Sequence, residues 1–337
     1  MHRSLAMLAA VLVLGLLAPI ALADDAVDDP PRGDLRLVVF GDFNGPYGAT
    51  TYPAAVALVV RTIGEVWRPD LVLMPGDVVA GQSRALPDER FEQMWAAFDE
   101  VVAAPLRRYG TAYAVAIGNH DGSSDRAADG SFNFARERAA ASAYWSHSMY
   151  DANLDYVERS RFPFEYAFRF GEIFVAVIDA SSASVEASTI EWLGQVLQQP
   201  VATSASMRIV MGHLPLFGVS ERKNRPGEVV RDGRFLAQRM RAVGVDTYVS
   251  GHHAAYYPGR VEGLELLFTG GVGAHALLGA SAPARSAVTI VDLWFSPLLV
   301  RYTTFDPDDM QPIPLADLPP RIDGIGGPVE RSTRASP

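Results

Sequence analysis

Five short polar motifs rich in Asp, Asn and His recur along the chain, and four of them directly follow an apolar, β-branched run. Such runs predict buried strands, so the motifs are expected at the carboxyl ends of strands in an α/β fold. The motifs begin at Gly41, Gly76, Gly118, Gly212 and Gly251. The predicted strands span residues 35–40, 71–74, 113–117, 207–211 and 247–250.

The side chains of these motifs predict a metal site. The carboxyl ends of strands in an open α/β sheet converge on one crevice. Oxygen ligands from Asp and Asn, together with imidazole nitrogens, suit Zn, Mn or Fe. Taken singly, each motif is more often a turn or a helix cap than a ligand. Four of the six histidines that follow Ala23 lie in the motifs, and this joint occurrence favours one shared site.

The first 23 residues have the pattern of a signal peptide. Arg3 precedes an apolar run over residues 5–22, and Ala21 and Ala23 form a small-x-small cleavage site. We therefore expect export to the periplasm or the outside, cleavage after Ala23, and no stable membrane anchor afterwards. An uncleaved anchor is the alternative, because the apolar run is long. The absence of cysteine excludes a lipoprotein anchor, disulfides and thiolate metal sites.

The net charge of the chain argues against some classes of binding partner. The 337 residues carry a formal net charge of −10, which argues against duplex nucleic acid as a partner. A small phosphate ester is compatible with this charge, because a bound metal reverses the local sign. The 29 basic residues include a single lysine, Lys223, and this bias by itself predicts no function. The sequence also predicts no oligomeric state.

The order of the predicted elements indicates one layered α/β domain with mixed sheets, spanning residues 34–304. A βαβαβ opening is followed by an aromatic-rich inserted cap over residues 122–163 and by a hairpin about Gly171-Glu172. Residues 305–337 are expected to form a Pro-rich tail that is extended or disordered. Predicted helices span residues 53–67, 88–107, 185–197 and 231–243, and the later predicted strands span 164–170, 173–178, 264–269, 288–295 and 299–303.

The motifs Gly-Asp-x-x, Gly-Asn-His-Asp, Gly-His-x-Pro and Gly-His-x-x, in this order over residues 41–254, resemble those of the calcineurin-like metallophosphoesterase superfamily. The similarity is greatest to the branch that contains purple acid phosphatases and cyclic-nucleotide phosphodiesterases. It implies a four-layer sandwich of two mixed β-sheets flanked by helices, with two divalent or trivalent metal ions. It also implies hydrolysis of phosphate mono- or diesters by in-line attack of a metal-bound hydroxide.

Carried over to this sequence, the resemblance assigns a role to each motif. The implied ligands of the first metal are Asp77, Asn119, His213 and His252. The second metal is implied to bind Asp42 and to share Asp77. His120 is implied to donate a proton or hydrogen bond to the leaving oxygen. Asp121 is expected either to orient His120 or to act as a simple turn residue.

The departures from the family pattern all affect the second metal. Asn44 and Ala254 stand where the family has histidine, and Ala80 stands where the purple enzymes have tyrosine. A carbonyl oxygen from Asn44 or the ring of His253 could complete that site, together with water. A single ion would leave the site with a net charge of about zero and poor phosphate binding.

Two other functions fit the same residues. A non-catalytic descendant of the family could bind one metal and phosphate, and a structural extracellular protein could use one metal to hold its loops. The aromatic residues of the cap and Tyr256-Tyr257 allow either core packing or stacking on a nucleobase or aryl group. The expected function is an exported metallophosphoesterase acting on a small phosphate ester.

Overall fold

The computed structural model describes residues 27–147, 150 and 152–334. The predicted signal peptide, residues 1–23, lies outside this range and stays a prediction. None of the helices in the described part of the chain is both long and apolar enough to cross a membrane.

The strands form two sheets, and each sheet mixes parallel with antiparallel pairing. The strands are β1 Leu35–Val39, β2 Leu71–Met74, β3 Ala112–Val115, β4 Asp155–Arg161, β5 Glu165–Phe170, β6 Ile173–Val177, β7 Met207–Met211, β8 Thr247–Ser250, β9 Tyr257–Val261, β10 Leu264–Phe268, β11 Val288–Phe295, β12 Leu298–Phe305, β13 Arg321–Gly324 and β14 Gly327–Arg331. The five-stranded sheet has the order β12-β11-β1-β2-β3, and the nine-stranded sheet has the order β13-β14-β9-β10-β8-β7-β6-β5-β4. Strands β1 to β3 are parallel, as are β6, β7, β8 and β10, whereas the other neighbours are antiparallel.

The predicted long helices are present, although two of them contain a π-helical turn. The helices are α1 Ala54–Thr62, α2 Asp88–Phe98, α3 Ala104–Tyr109, α4 Asn119–Gly122, α5 Ala135–Ser146, α6 Ala187–Leu197, α7 Pro200–Thr203 and α8 Gly233–Ala242. The π-helical turn Ile63–Trp67 forms the end of the segment predicted as a helix over residues 53–67. The π-helical turn Asp99–Ala103 lies inside the segment predicted as a helix over residues 88–107.

Alternate residues of the parallel strands are buried on opposite faces, which explains why these strands are apolar throughout. On β1, Leu37 and Val39 belong to the core shared with the nine-stranded sheet, whereas Val38 belongs to the core shared with α1, α2, α3 and α5. Helices α6 and α8 pack on the nine-stranded sheet. The result is four layers, two mixed sheets flanked by helices, and the predicted fold class is confirmed.

Residues 122–163, predicted as an inserted cap, contribute to both the helical layer and the nine-stranded sheet. Helix α5 packs against α2, and β4 pairs with β5 at the edge of the sheet. Tyr144 and Trp145 on α5 are buried in the core beside α2, and Tyr256 and Tyr257 are buried in the other core. These four aromatic residues therefore pack in the core, as the first of the two alternatives predicted.

The predicted extended or disordered tail contains a β-hairpin. Strands β13 and β14 pair with each other, and β14 pairs with β9 at the edge of the nine-stranded sheet. Ile322 and Val329 are buried in the core there. Of the two predicted alternatives, extended or disordered, the disordered one is wrong for this segment. Each of the two short strands has one core side chain, and pairing with the edge of the sheet orders them.

Candidate metal centre

The polar motifs meet at one edge of the sandwich. Asp42, Asp77 and Asn119 follow β1, β2 and β3 of the five-stranded sheet, whereas His213 and His252 follow β7 and β8 of the nine-stranded sheet. All five side chains are buried. The site therefore lies where the carboxyl ends of parallel strands from both sheets come together.

Four of the predicted ligands converge on one point. Oδ1 of Asn119 lies 2.8 Å from Nε2 of His213 and 2.8 Å from Nδ1 of His252. Oδ2 of Asp77 lies 3.3 Å from Nε2 of His213. Ligand atoms of Asp77, His213 and His252 all lie within 4.8 Å of one another. Two imidazoles, one carboxylate and one amide oxygen form a donor set that fits a divalent metal ion.

Each imidazole makes a second hydrogen bond that selects its ligating nitrogen. Nδ1 of His213 lies 2.8 Å from the carbonyl oxygen of Pro75, which leaves Nε2 for a metal. Nε2 of His252 lies 2.8 Å from a carboxylate oxygen of Glu228, which leaves Nδ1. Such partners fix the tautomer and orientation of a metal-binding histidine. Glu228 was not predicted from the sequence, because it lies in a charged loop outside the motifs.

We expect Glu228→Gln to weaken metal binding by about 10–100-fold, the range typical of losing an outer partner of a metal ligand. The glutamine keeps the size of the side chain but no longer presents a carboxylate to His252. Calorimetric titration of the chelator-treated protein with Mn or Zn tests this expectation. The exposed Glu221→Gln serves as the control, and equal affinities in the two variants would show that Glu228 does not support His252.

Asp42 lies beside the four-ligand cluster and is held by two other groups. Its Oδ1 accepts a hydrogen bond from the backbone N–H of His252 at 2.6 Å, and its Oδ2 accepts one from the hydroxyl of Thr269 at 3.0 Å. Burial raises the pKa of Asp42 to about 6, the imidazole of His213 lowers this pKa, and the negative charge of Asp77 raises it. Asp42 and Asp77 thus supply two carboxylates to any second cation.

His253 and Asn44 are the other two residues expected at the second metal site. Both ring nitrogens of the buried His253 are used elsewhere, Nε2 at 3.0 Å from the carbonyl oxygen of Glu228 and Nδ1 at 3.4 Å from the backbone N–H of Val219. This arrangement argues against His253 as a ligand. Asn44 is half-buried and donates its backbone N–H to the Asp77 carbonyl. The second site therefore has two carboxylates and no imidazole from the described residues.

His120 lies next to the cluster without belonging to it. Its Nδ1 is 3.2 Å from the carbonyl oxygen of Gly81, and its backbone N–H donates to Oδ1 of Asp77 at 2.9 Å. The ring stacks on Tyr47, with ring centroids 5.3 Å apart. If Nδ1 donates to Gly81, the nitrogen that remains for a substrate is Nε2. The role of His120 as a proton donor stays a prediction.

Asp121 has a different position from the one expected of a residue that orients His120. Its buried carboxylate accepts hydrogen bonds from four backbone N–H groups, and in the described part of the chain it makes no hydrogen bond to the His120 ring. The donors are Asp77 at 2.8 Å, Val78 at 2.9 Å, Val79 at 2.8 Å and Gly118 at 2.7 Å. Asp121 therefore ties together the loops that follow β2 and β3.

We expect Asp121→Asn to lower the free energy of unfolding by about 2–3 kcal/mol, because a buried amide would face backbone N–H donors in place of a carboxylate. Urea unfolding followed by circular dichroism measures the change. Asp88→Asn is the control, since the Asp88 side chain is 72% exposed. A stability of Asp121→Asn equal to that of the control would contradict the assigned structural role.

Three site residues have backbone conformations that are uncommon for residues other than glycine. The φ angle is 51° at Asp42, 53° at Asp77 and 65° at His252, all in the left-handed region. The preceding Gly76 has a φ of 93°, and a Cβ atom there would lie 2.7 Å from Nδ1 of His213. Strained backbone concentrated around one polar cluster is typical of functional sites.

The pKa values of the ligands determine which of them carries a proton before a metal binds. Burial lowers the pKa of His213, but the carboxylates of Asp77 and Asp42 outweigh this effect and raise it to about 9. Burial raises the pKa of Asp77, but the His213 imidazole outweighs it and holds that pKa well below its usual range. Burial lowers the pKa of His252 to about 4. A metal that binds near neutral pH must therefore displace a proton from His213 and finds His252 already neutral.

The cluster lies at one side of an open pocket of about 650 Å³. Asn119, His120 and His252 line the pocket, together with the exposed Tyr47. The basic side chains that line it are Arg222, Lys223, Arg225 and Arg231. A pocket of this size and charge suits a small anionic ligand.

Comparison with known proteins agrees with this site. The family model described as calcineurin-like phosphoesterase matches residues 35–256, a range that includes the whole four-ligand cluster. No curated protein matches the sequence.

Two solved structures share the fold at low sequence identity. GAP50, the anchor in the inner membrane complex of Plasmodium, aligns with a TM-score of 0.54 at 12% identity, over 90% of this chain and 91% of its own. A dimetal phosphatase from Danio rerio aligns with a TM-score of 0.50 at 13% identity, over 81% of this chain and 95% of its own. The family match, the fold and the converging ligands lead to one conclusion: the chain belongs to the calcineurin-like phosphoesterase family.

Proposed function

We propose that the protein is an exported, metal-dependent phosphoesterase that hydrolyses a small phosphate mono- or diester. The observation that carries this proposal is the convergence of four metal-ligand side chains beside a pocket with basic residues. Family membership supports the hydrolase class, and the fold relative from Danio rerio is described as a dimetal phosphatase. Export rests on the sequence pattern of residues 1–23.

Each residue of the site has a separate task in this proposal. A bound divalent ion supplies positive charge to the phosphoryl group and lowers the pKa of a water molecule. The residues that would hold the ion are Asp77, Asn119, His213 and His252. Glu228 keeps the His252 imidazole in its ligating tautomer. His120 presents Nε2 to the pocket and donates a proton to the leaving oxygen, while Tyr47 packs on its ring.

The second ion expected from the resemblance has weaker support from this chain's own residues. Asp42 and the shared Asp77 offer carboxylate oxygens, and water and substrate oxygens often complete such a site. Residues 44 and 254 provide no imidazole. The first site is thus the one on which the proposed activity depends.

The proposal is tested by incubating the purified protein with aryl phosphate monoesters and diesters in the presence of Mn, Zn or Fe. We expect release of the aryl alcohol that a chelator abolishes and added metal restores. Absence of turnover with all three metals, in protein that has bound metal, would instead favour a non-catalytic metal- or phosphate-binding protein. GAP50, described as the anchor in the inner membrane complex of Plasmodium, shares the fold.

A further inference from the structure

The single lysine of the sequence lies against the metal cluster. Nζ of Lys223 donates to the carbonyl oxygen of His252 at 2.7 Å and lies 3.4 Å from Nδ1 of the same histidine. That Nδ1 atom is the one that faces Oδ1 of Asn119. Within residues 27–147, 150 and 152–334, Lys223 forms no salt bridge with a carboxylate. The ammonium group therefore lies beside the point where the four ligands converge.

The cluster lacks positive charge if only its well-built site holds a metal. The carboxylates of Asp42 and Asp77 neutralise one divalent ion, which leaves a net charge of about zero for an incoming phosphate dianion. The ammonium group of Lys223 raises this net charge to about +1.

We infer that Lys223 takes the place of the second metal ion and binds an oxygen of the substrate's phosphoryl group. The inference rests on the proposed function and names the second cation of its site. In two-metal enzymes the cations lie about 3.5–4 Å apart and clamp the phosphoryl group between them. An ammonium group has three donors, and only the one that binds the His252 carbonyl oxygen remains committed when a metal takes Nδ1 of His252, so two donors are left for phosphate oxygens.

The arginines of the pocket are less suited to this role. Arg225 is paired with Glu228 at 2.7 Å, and Arg222 lies 3.4 Å from Nε2 of His275. Neither makes a hydrogen bond to a ligand of the cluster in the described part of the chain. A compact ammonium group also fits beside a metal ion more closely than a planar guanidinium group does.

The test compares Lys223→Gln, Lys223→Arg and the control Arg239→Gln, which removes one positive charge from the exposed side of α8. Each metal-loaded protein is titrated calorimetrically with inorganic phosphate, and its metal content is determined by elemental analysis. We expect about one metal per chain in the wild type and in all variants. Phosphate binding by Lys223→Gln should weaken by about 10–100-fold, as expected for a lost charge-assisted hydrogen bond.

The control and the arginine variant separate the effect of the Lys223 ammonium group from a general effect of positive charge. Arg239→Gln should bind phosphate within about twofold of the wild type, because screening weakens distant surface charges. Lys223→Arg should recover part of the affinity, since it restores the charge without the compact shape. Melting temperatures near that of the wild type show that the variants are folded.

Three results would overturn the inference. These are wild-type phosphate affinity in Lys223→Gln, loss of bound metal from Lys223→Gln, and two tightly held metals per chain in the wild type. A wild-type protein that binds phosphate through Lys223 but hydrolyses no ester would overturn the proposed function alone. A wild type that binds metal but no phosphate would overturn both.

Discussion

Replacing Asp77 by asparagine is expected to remove tight metal binding and to reduce phosphate-ester hydrolysis to background. Asp77 is the one carboxylate among the four converging ligands, and it offsets the positive charge that a metal or a protonated His213 brings into a buried site. Loss of an outer partner of a ligand costs about 10–100-fold in metal affinity. Loss of a carboxylate that contacts the metal directly should cost at least the upper end of that range.

Elemental analysis after gel filtration, together with turnover of an aryl phosphate, measures the effect of Asp77→Asn. The control is Asp323→Asn, because the Asp323 side chain is 68% exposed and, among the described residues, pairs only with Arg321 at the surface. The control should retain both metal and turnover. Full metal content in Asp77→Asn would remove Asp77 from the ligand set and with it the centre of the proposed site.

Replacing His120 by alanine is expected to lower turnover by about 10²–10⁴-fold, the contribution typical of a positioned general acid. Metal content should not change, because the His120 ring makes its hydrogen bond to the Gly81 carbonyl and not to a ligand side chain. Steady-state hydrolysis of aryl phosphates with leaving groups of different acidity measures the effect. The loss should be smaller for the more acidic leaving groups, which need less protonation.

The matched control is His147→Ala, since His147 is exposed and lies outside the cluster. Its turnover should stay within about threefold of the wild type, as expected for a surface substitution that changes no catalytic group. Unchanged turnover in His120→Ala would remove the proton-donor assignment. Loss of metal from His120→Ala would instead indicate that His120 supports the ligands.

The placement of the ligands at strand ends could be predicted from the sequence because it depends on local apolar runs. Three buried runs, 71–74, 207–211 and 247–250, match β2, β7 and β8 to the residue. The strand-end rule places Asp77 and His213 at the carboxyl ends of β2 and β7. These strands belong to different sheets, and their approach depends on how the two sheets pack. The family resemblance assigned Asp77, Asn119, His213 and His252 to one metal, and the structure brings these four side chains together.

Residues that act from loops could not be predicted in the same way. Glu228 and Lys223 lie in a connection between β7 and α8, and no periodic pattern relates that loop to the strand ends. The loop folds back over His252 through contacts of two side chains, which only the three-dimensional structure reveals. The sequence also could not predict whether the His253 ring faces the metal site, because a residue next to a ligand in a loop is free to face either side.

The roles of Asp121 and of the C-terminal segment also depend on contacts between distant parts of the chain, which the sequence pattern does not reveal. A carboxylate after His120 looks like a partner for the imidazole, but backbone N–H groups from two loops occupy all of its hydrogen bonds. Strands β13 and β14 are short and lie among prolines, so local pattern favoured a tail. Their pairing with β9 is a long-range contact that sequence periodicity does not report.

The measurement that tests the central claim most directly is a metal titration of chelator-treated protein in which bound metal and aryl phosphate turnover are determined in the same samples. We predict that turnover rises with bound Mn, Zn or Fe and levels off near one metal per chain. A continued rise to two metals would contradict the role of Lys223 and leave the phosphoesterase intact. No turnover at any metal content would contradict the assignment of this protein as a metal-dependent phosphoesterase.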